Sequence, residues 1–484
     1  MKLDYDLLSI QEVRDKLLRA SVAQKRLEQL TQLEIDRIVK QMSYNASKSA
    51  ERLAQLAVAE TGFGNVKDKQ TKNLFASQQV YAAIKEMKTV GIIAENEKNK
   101  VWEVAEPAGV IAGIVPSTNP TSTVIFKALI ALKARNVIVF SPHPSALNCC
   151  LEAVKIMSDA AVSAGAPPDV IQCLEHPSME ASKELMSHKQ TDLILATGGP
   201  GMVKAAYSSG KPAYGVGPGN VPVYIHKSAD IEKAARQIIE SKTFDYGTIC
   251  ASEQAVVVDE AIKDVFIREL KKHGAYFLSA KEKEKIAGIV LKNNALNSEI
   301  VGKSPLKLAE LAGIAVPEET KVLLGEETRI GKTVPFSLEK LSPILAFYTV
   351  KDWQEGCEIC MELLEVGGLG HTLGIHARED EIIRAFALKK PASRIVVNSG
   401  TTFGGIGATT GIFPSMTLGC GTYGNNITSD NIGPQHLMNI KRVAFGIREM
   451  ENDLNDTDEK RDALEISEEE ITKIIMQVIS QLNK

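Results

Sequence analysis

The chain has 484 residues, of which 44% are hydrophobic and 24% charged, and its formal net charge is −4. This length predicts two or three domains, and the slightly acidic balance excludes the basic face that a nucleic-acid partner requires. No window holds the roughly 18 apolar residues of a membrane span, and the charged N-terminus does not resemble a secretory signal. Seven scattered cysteines do not form a disulfide framework. We therefore expect a cytoplasmic protein with free thiols and no membrane partner.

The order of predicted elements indicates an α/β protein. The first ninety residues place apolar side chains at helical spacing. Strands and helices then alternate, which predicts doubly wound parallel sheets in two α/β domains. Helices are predicted over 123–133, 146–164 and 261–272. Strands are predicted over 107–116, 136–140, 192–196, 221–225, 254–258, 321–324, 344–347 and 394–397.

The C-terminal region has a different composition. Residues 449–470 are crowded with Asp and Glu and predict a solvated linker. Ser467 and Glu470 have the spacing of a helix capping box, and apolar residues from Ile471 to Leu482 then fall on one helical face. A helix of about four turns with such a face needs a surface to dock on, which is its own subunit, an oligomer neighbour or a separate partner.

Residues 243–254 carry the most informative motif. Cys250 follows a Gly-Thr turn between a predicted helix and a predicted strand. A thiolate can attack an aldehyde carbonyl to give a thiohemiacetal, and the thioester that remains after oxidation stays reactive toward another thiol. Cysteines in such positions are, however, often buried packing residues.

This motif resembles the nucleophile segment of the aldehyde dehydrogenase superfamily, and specifically of its coenzyme A-acylating branch. That branch includes the dehydrogenase half of bifunctional aldehyde/alcohol dehydrogenases and enzymes of bacterial microcompartments. The likeness covers roughly residues 10–450. It is carried further by residues 60–64, 116–122, 140–144, 195–200, 215–220, 339–343, 370–372 and 403–405.

The resemblance implies the aldehyde dehydrogenase fold, with a small oligomerisation arm that has a strand near 100–106. It also implies a monofunctional enzyme, since no iron-dependent alcohol dehydrogenase domain follows. The implied segments are a cofactor-binding domain over 1–225, a catalytic domain over 226–425, a return and oligomerisation segment over 426–450, an acidic linker over 451–465 and an amphipathic helix over 466–484.

The resemblance also implies site residues. Asn119 aligns with the oxyanion residue, whose amide and the Cys250 backbone N–H would stabilise charge on the aldehyde oxygen. His371 is similar to a histidine thought to assist proton transfer from the coenzyme A thiol, although a structural role is the alternative. NAD, or else NADP, would be bound by Ser141, Pro142, His143, Thr197, Gly198, Gly199, Gly217 and Glu339, with no lysine at the adenosine end to decide between the two.

Val216 indicates the fate of the acyl group. Hydrolytic relatives place a glutamate there as the base that activates water, and valine has no proton-accepting group. We therefore expect acyl transfer to coenzyme A, with Asp245 or Glu253 as possible substitute bases for hydrolysis to the free acid. No metal is expected, since Cys357 and Cys360 lie in one predicted helix without a second ligand pair.

The resemblance further implies the partners. The expected substrate is acetaldehyde or propionaldehyde, with a functionalised aldehyde such as sulfoacetaldehyde as the alternative. A homodimer or homotetramer is expected through the strand near 100–106 and the segment around 439–445. The C-terminal helix is similar to the encapsulation peptides that direct enzymes into bacterial microcompartments, and this predicts a shell or core partner for 466–484.

Overall fold

The computed structural model describes residues 4–293, 295–448 and 467–482. The chain divides into two compact units, Met1–Ile93 with Val104–Lys441 and Ala94–Glu103 with Arg442–Lys484. The predicted acidic linker over 451–465 lies outside the described residues. None of the described helices is long and apolar enough to cross a bilayer.

Helices dominate the first ninety residues, as predicted, and then alternate with strands. A π-helix over Phe75–Gln79 interrupts the helical run between α4 and α5. The α-helices are α1 Tyr5–Leu27, α2 Gln32–Lys48, α3 Ala50–Thr61, α4 Val66–Leu74, α5 Val80–Ile84, α6 Pro120–Lys133, α7 Leu147–Ser163, α8 Met179–Ser187, α9 Pro200–Tyr207, α10 Ile231–Thr243, α11 Lys263–Lys272, α12 Ala280–Val290, α13 Pro305–Ala312, α14 Trp353–Gly367, α15 Asp380–Lys389, α16 Thr401–Gly405 and α17 Glu468–Leu482.

The strands form four sheets. They are β1 Gly91–Asn96, β2 Val101–Pro107, β3 Val110–Val115, β4 Val137–Pro142, β5 Ile171–Cys173, β6 Leu193–Thr197, β7 Ala213–Val216, β8 Val221–Ile225, β9 Glu253–Asp259, β10 Ala275–Phe277, β11 Leu291–Lys292, β12 Ala295–Leu296, β13 Val322–Glu326, β14 Ile344–Val350, β15 Gly370–His376, β16 Ala392–Val397 and β17 Met438–Ala444.

The first large sheet has the order β5-β4-β3-β6-β7, with all strands parallel. Its three central strands are apolar runs that are buried along nearly their whole length, as parallel strands covered on both faces must be. Helix α6 is buried along its whole length and packs against this sheet and α7. The prediction of a doubly wound α/β fold is confirmed.

The second large sheet has the order β10-β13-β14-β9-β8-β15-β16 and is also parallel. It corrects one placement, because β8 was predicted as the last strand of the domain over 1–225 but pairs with β9 and β15. Four residues separate β7 from β8, whereas a parallel crossover within one sheet needs a dozen or more. The chain therefore passes to the second sheet between Val216 and Val221.

The two remaining sheets are small. Strands β11 and β12 form a hairpin, and β1, β2 and β17 form a three-stranded sheet in the order β1-β2-β17. Strand β2 coincides with the strand predicted near 100–106. Helix α17 begins after the Ser467–Glu470 capping interaction, and all its residues are exposed, including the apolar face from Ile471 to Leu482.

Candidate active site

A cavity of about 1520 Å³ lies where four strands of the first sheet end. Strands β3, β4, β6 and β7 each contribute their last residue or the residues that follow it. The carboxyl edge of a parallel α/β sheet is the usual place for a ligand cleft. The loops that precede β9 and β14 of the second sheet supply Cys250 and Glu339 to the same cavity.

The cavity brings together all but one of the predicted site residues. His371 is the exception, since it does not line the cavity. The residues that line it are Asn119, Ser141, Pro142, His143, Thr197, Gly198, Gly199, Gly217, Cys250 and Glu339.

Cys250 follows a strained turn. Asp245, Tyr246 and Gly247 have φ angles of 50°, 50° and 76°, in the left-handed region that non-glycine residues rarely adopt. Such strain persists only where surrounding contacts hold it, and it is concentrated at functional sites. This turn reverses the chain between α10 and Cys250.

Contacts with helix α4 hold the turn in place. The buried Asp245 carboxylate accepts hydrogen bonds from the Asn65 backbone N–H at 2.9 Å and from Lys69 Nζ at 2.9 Å. It also accepts from Lys72 Nζ and from Thr248 Oγ1. These partners, the two lysines foremost, outweigh burial and lower the pKa of Asp245. A fully paired carboxylate outside the cavity lining is not placed to serve as the substitute base for hydrolysis.

The Cys250 thiol is protonated at rest. Burial raises its pKa to about 12, with smaller contributions from Glu339 and Cys420, while Arg394 acts in the opposite direction. A nucleophilic thiolate therefore forms only when a nearby group takes the proton. The other cysteines are buried packing residues, including Cys149 and Cys150 in α7.

Asn119 precedes α6 and points its amide toward the Cys250 segment. Its Nδ2 donates to the Thr248 backbone oxygen at 3.0 Å and to Thr118 Oγ1 at 3.2 Å. Its Oδ1 accepts from Lys72 Nζ at 2.5 Å. Both amide N–H groups are thus engaged, one of them on the backbone oxygen two residues before Cys250. One of these bonds must open for the amide to serve as an oxyanion donor, a role that stays a prediction.

The end of β6 forms a cradle that fits a pyrophosphate. Thr197 Oγ1 is buried and has no hydrogen-bond partner among the described residues. A Cβ built on Gly199 or Gly217 would meet no atom within 4 Å, so both glycines border open space. Helix α9 begins after Gly199 without a side-chain cap. Pro200 has no N–H, and the Met202 and Val203 N–H groups donate to the Gly199 backbone oxygen, which leaves the Gly201 N–H for an anion.

The loop after β4 forms another end of the cavity. Ser141 Oγ lies 2.9 Å from Ser182 Oγ, and the His143 ring caps the turn that starts at Pro144. Burial lowers the pKa of His143, which favours the neutral ring. Among the described residues, no Lys or Arg lines this end beside Ser141, Pro142, Ser178 or Ser182.

Glu339 is the one carboxylate among the described residues that line the cavity. Its Oε1 accepts the Gly219 backbone N–H at 3.0 Å. Burial raises its pKa to about 7, against the opposing effect of that hydrogen bond and of Lys242 and Lys340. The carboxyl therefore exchanges a proton near neutral pH.

Val216 and Glu253 differ in placement. Val216 ends β7 and lines the cavity, where it offers no proton acceptor. Glu253 is buried outside the cavity lining and accepts hydrogen bonds from Ser241 Oγ and the Thr401 backbone N–H, both at 2.6 Å. Burial raises its pKa. Glu253 therefore anchors α10 and α16 to β9 and is not placed to activate water in the cavity.

His371 lies behind the cavity wall at the start of β15. A Cβ built on Gly219 would be 3.0 Å from His371 Cγ and 2.3 Å from the Cys250 backbone oxygen, so the ring and the Cys250 backbone both approach the side of Gly219 that carries no side chain. Burial, with Arg394, lowers the pKa of His371 to about 3. Its Nε2 has no partner among the described residues, and its role in proton transfer stays a prediction.

Sequence reasoning missed three residues of the site. Lys72, Phe244 and Phe403 line the cavity, with the Phe244 and Phe403 rings 5.0 Å apart and Lys72 Nζ 5.7 Å from the Phe244 ring. Lys72 lies in a helix with three lysines, a pattern typical of a solvent-exposed helix, so the sequence around it does not predict a site residue.

Within the described part of the chain, no cluster of His, Cys, Asp or Glu could hold a metal.

Comparison with known proteins agrees with this geometry. The chain is 47% identical over 441 residues to the bifunctional aldehyde-alcohol dehydrogenase of Escherichia coli K12, covering 90% of this chain but 50% of that protein. The chain thus spans about half the length of this relative. It is similar to the crystal structure of an acetylating aldehyde dehydrogenase from Geobacillus thermoglucosidasius, with a TM-score of 0.92, 64% identity, and coverage of 93% of this chain and 100% of that one.

A second solved structure extends the likeness. It is a propionaldehyde dehydrogenase from the Clostridium phytofermentans fucose utilisation bacterial microcompartment, with a TM-score of 0.81, 29% identity, and coverage of 90% of this chain and 97% of that one. Residues 5–289 match the aldehyde dehydrogenase family. These comparisons show that the chain belongs to the aldehyde dehydrogenase family.

Proposed function

We propose that this chain oxidises a short-chain aldehyde with NAD and transfers the acyl group from Cys250 to coenzyme A. The observation that carries the proposal is the composition of one cavity. It holds the partly exposed Cys250 thiol beside the Asn119 amide, while Val216 stands where a hydrolytic enzyme needs a base.

The chemistry divides into two half-reactions at the Cys250 sulfur. The thiol loses its proton and the sulfur bonds to the aldehyde carbon, while Asn119 Nδ2 and the Cys250 backbone N–H stabilise the negative oxygen. A nicotinamide bound in the cradle would supply the hydride acceptor for that carbon; as hydride leaves, the oxyanion re-forms the C=O bond and a thioester remains on Cys250. The coenzyme A sulfur then attacks the thioester and its thiol proton is lost. The C–S bond to Cys250 breaks, giving acyl-coenzyme A and the free enzyme.

Cofactor binding is proposed for the cradle at the end of β6. Thr197, Gly198 and Gly199 would hold the pyrophosphate, Gly217 would leave room for it, and Glu339 would bind the nicotinamide ribose. Because the described lining near Ser141 offers no Lys or Arg to a 2′-phosphate, we propose a preference for NAD over NADP.

The aldehyde is proposed to be acetaldehyde or propionaldehyde. The lining near Asn119 is largely apolar and includes Phe244, Phe403 and Met416. Of the two lysines among the described lining residues, Lys72 is paired with Asp245 and bound to Asn119, and Lys332 is exposed to solvent. An anionic aldehyde such as sulfoacetaldehyde would therefore lose hydration without gaining a buried ion pair.

Omitting coenzyme A tests this proposal. We expect one rapid equivalent of NADH per active site and then almost no turnover until coenzyme A is added, with acyl-coenzyme A as the product. A steady rate without coenzyme A, giving free acid and unchanged when coenzyme A is added, would contradict it. A parallel comparison of propionaldehyde with sulfoacetaldehyde, and of NAD with NADP, tests the substrate and cofactor assignments.

We also propose that α17 directs the protein to a bacterial microcompartment. The helix is amphipathic, and its exposed apolar face, from Ile471 to Leu482, suits a shell or core protein as partner. Deletion of residues 467–484 should abolish co-purification with shells and leave the solution activity intact. Loss of activity together with loss of the oligomer would instead show that the helix docks on its own assembly.

A homodimer or homotetramer is proposed through the segments predicted to pair subunits. Two large apolar side chains of the segment around 439–445, Val443 and Phe445, are exposed. Analytical ultracentrifugation should give a mass of two or four chains, and replacing Val443 and Phe445 with serine should lower it. A monomer at micromolar concentration would contradict this assignment.

A further inference from the structure

Lys72 is a buried lysine of α4 to which the proposed chemistry assigns no role. Only 3% of its side chain is exposed, and it borders the cavity. Its ammonium contacts Asn119 Oδ1 at 2.5 Å, Thr248 Oγ1 at 3.2 Å and the Asp245 carboxylate. Burying a lysine this fully is costly unless the charge is paired and hydrogen-bonded.

Each of these contacts reaches a different part of the oxyanion site. Asn119 carries the amide donor, Asp245 starts the left-handed turn, and Thr248 lies two residues before Cys250. These residues come from chain segments more than one hundred positions apart. Lys72 therefore joins the amide donor to the backbone of the nucleophile segment.

The contact with Asn119 also sets the orientation of the amide. An ammonium group only donates, so it fixes the amide oxygen on its own side and leaves Nδ2 toward the Thr248 backbone oxygen and Thr118 Oγ1. Rotation of the amide by half a turn would present an oxygen to the oxyanion and repel it. The positive charge of the Lys72 ammonium beside Oδ1 also draws electron density toward the amide oxygen, which makes the amide N–H groups stronger donors.

We propose that Lys72 is a positioning residue of the oxyanion site, which orients and polarises the Asn119 amide. This inference rests on the proposed roles of Cys250 and Asn119.

Lys69 shows why Lys72 is singled out. Lys69 Nζ contacts the same Asp245 carboxylate and the Thr118 backbone oxygen at 2.8 Å, but not the Asn119 side chain. Asp245 also keeps its hydrogen bonds from Asn65 and Thr248 when Lys72 is changed. Loss of Lys72 therefore leaves the carboxylate paired and removes the one ammonium that orients Asn119.

The test is a double-mutant cycle on the first NADH burst, measured without coenzyme A. The burst amplitude counts competent sites, so its rate constant does not depend on the folded fraction. We expect N119A to slow the burst about 100-fold, the usual effect of losing one oxyanion donor, and K72M to slow it about 10- to 100-fold. In the N119A background, K72M should lower the burst rate constant less than about 3-fold, because Asn119, through which Lys72 acts, is absent.

Two further variants complete the design. K133M removes another buried lysine, which bonds Asp36 and the Lys85 backbone oxygen far from the cavity, and should leave the burst rate unchanged. K72Q keeps a neutral donor to Asn119 and should fall between wild type and K72M. If K72M does not fold, the same cycle is run with K72Q. The NAD concentration for half-saturation should not change in any of these variants.

The outcomes separate this inference from the proposed function. A wild-type protein without an NADH burst would contradict the function itself. A normal wild-type burst would overturn the inference alone if K72M, or K72Q in its place, is within about 2-fold of wild type. The inference would also be overturned if the Lys72 substitution lowers the burst rate constant as much in N119A as in the wild type. The same holds if K133M lowers it as much as K72M does.

Discussion

Val216 is the residue that we expect to decide between acyl transfer and hydrolysis. It is buried at the end of β7 and lines the cavity. A glutamate at this position would be partly desolvated, which raises its pKa and suits it to take a proton from water. We predict that Val216→Glu increases coenzyme A-independent NADH turnover at least about 10-fold, with free acid as the product.

Val216→Gln is the matched control, since glutamine has the same size and no proton-accepting carboxylate. It should not increase turnover without coenzyme A. Equal turnover in the two variants would show that space for water, and not a base, limits hydrolysis.

Glu339 gives a prediction for the pH dependence. Burial raises the pKa of Glu339 to about 7, and its charge is close enough to raise the pKa of Cys250. We propose that this cavity carboxylate takes the Cys250 proton. Only the ionised form accepts a proton, so the burst rate should rise as the pH increases through about 7 and fall off below it. His371, with a pKa of about 3, remains neutral across this range and produces no such change.

The pH profile of Glu339→Gln checks this assignment, with His371→Gln beside it. The rise near pH 7 should vanish in the first variant and persist in the second. Persistence in Glu339→Gln with loss in His371→Gln would assign the proton to His371 instead.

The sequence predicts those residues of the site that a recognisable motif carries. Cys250, Asn119 and Glu339 stand in segments that resemble the family, and all three line the cavity. Lys72 could not be predicted in this way, because its role depends on contacts with Asn119 and Asp245 from distant parts of the chain. A local pattern does not report such contacts.

At the scale of elements, the loop between α3 and α4 supports the nucleophile turn. Gly64 has a φ of +70°, and a Cβ built on it would be 1.8 Å from Asp245 Oδ1. Gly64→Ala should therefore displace the carboxylate that accepts from Lys69 and Lys72. We predict a burst rate at least about 10-fold lower, because small displacements at a catalytic group have large effects on rate.

Gly62→Ala is the control in the same loop. Gly62 has a similar φ of +66°, but its Cβ would meet only the flexible end of Lys303 at 3.3 Å. Both variants should lose about 1–2 kcal/mol of stability from the left-handed backbone, and only Gly64→Ala should lose rate. Equal rate losses would mean that backbone strain, and not Asp245, is responsible.

Element prediction from the sequence was accurate for apolar, β-branched runs bounded by turn residues, but it missed short strands and also the seven-residue buried strand β15. Strands β3, β4 and β6 coincide with predicted strands because their β-branched runs are bounded by turn residues. Strands β5 and β7 have only three and four residues and were not predicted. The sheet to which β8 belongs could not be read from its sequence, since pairing is a property of the tertiary fold.

At the scale of the whole molecule, two parallel sheets contribute opposite edges to one cavity. The first sheet presents its carboxyl edge with Thr197 and Val216, and the second supplies the loops before β9 and β14 with Cys250 and Glu339. The alternation of strands and helices predicts the two sheets, but it does not predict which edges meet. This arrangement places the residues proposed to bind the nucleotide and the proposed nucleophile, Cys250, in the same cavity.

The central claim is that the acyl group remains bound to Cys250 as a thioester until coenzyme A attacks it. Intact mass spectrometry tests this claim most directly. Protein mixed with propionaldehyde and NAD, without coenzyme A, should gain the mass of one propionyl group on Cys250 and lose it as propionyl-coenzyme A when coenzyme A is added. Cys250→Ala should gain nothing, while Cys357→Ala, a buried cysteine outside the cavity lining, should behave as wild type. Free propionate that accumulates in step with NADH, with no adduct on Cys250, would contradict the account.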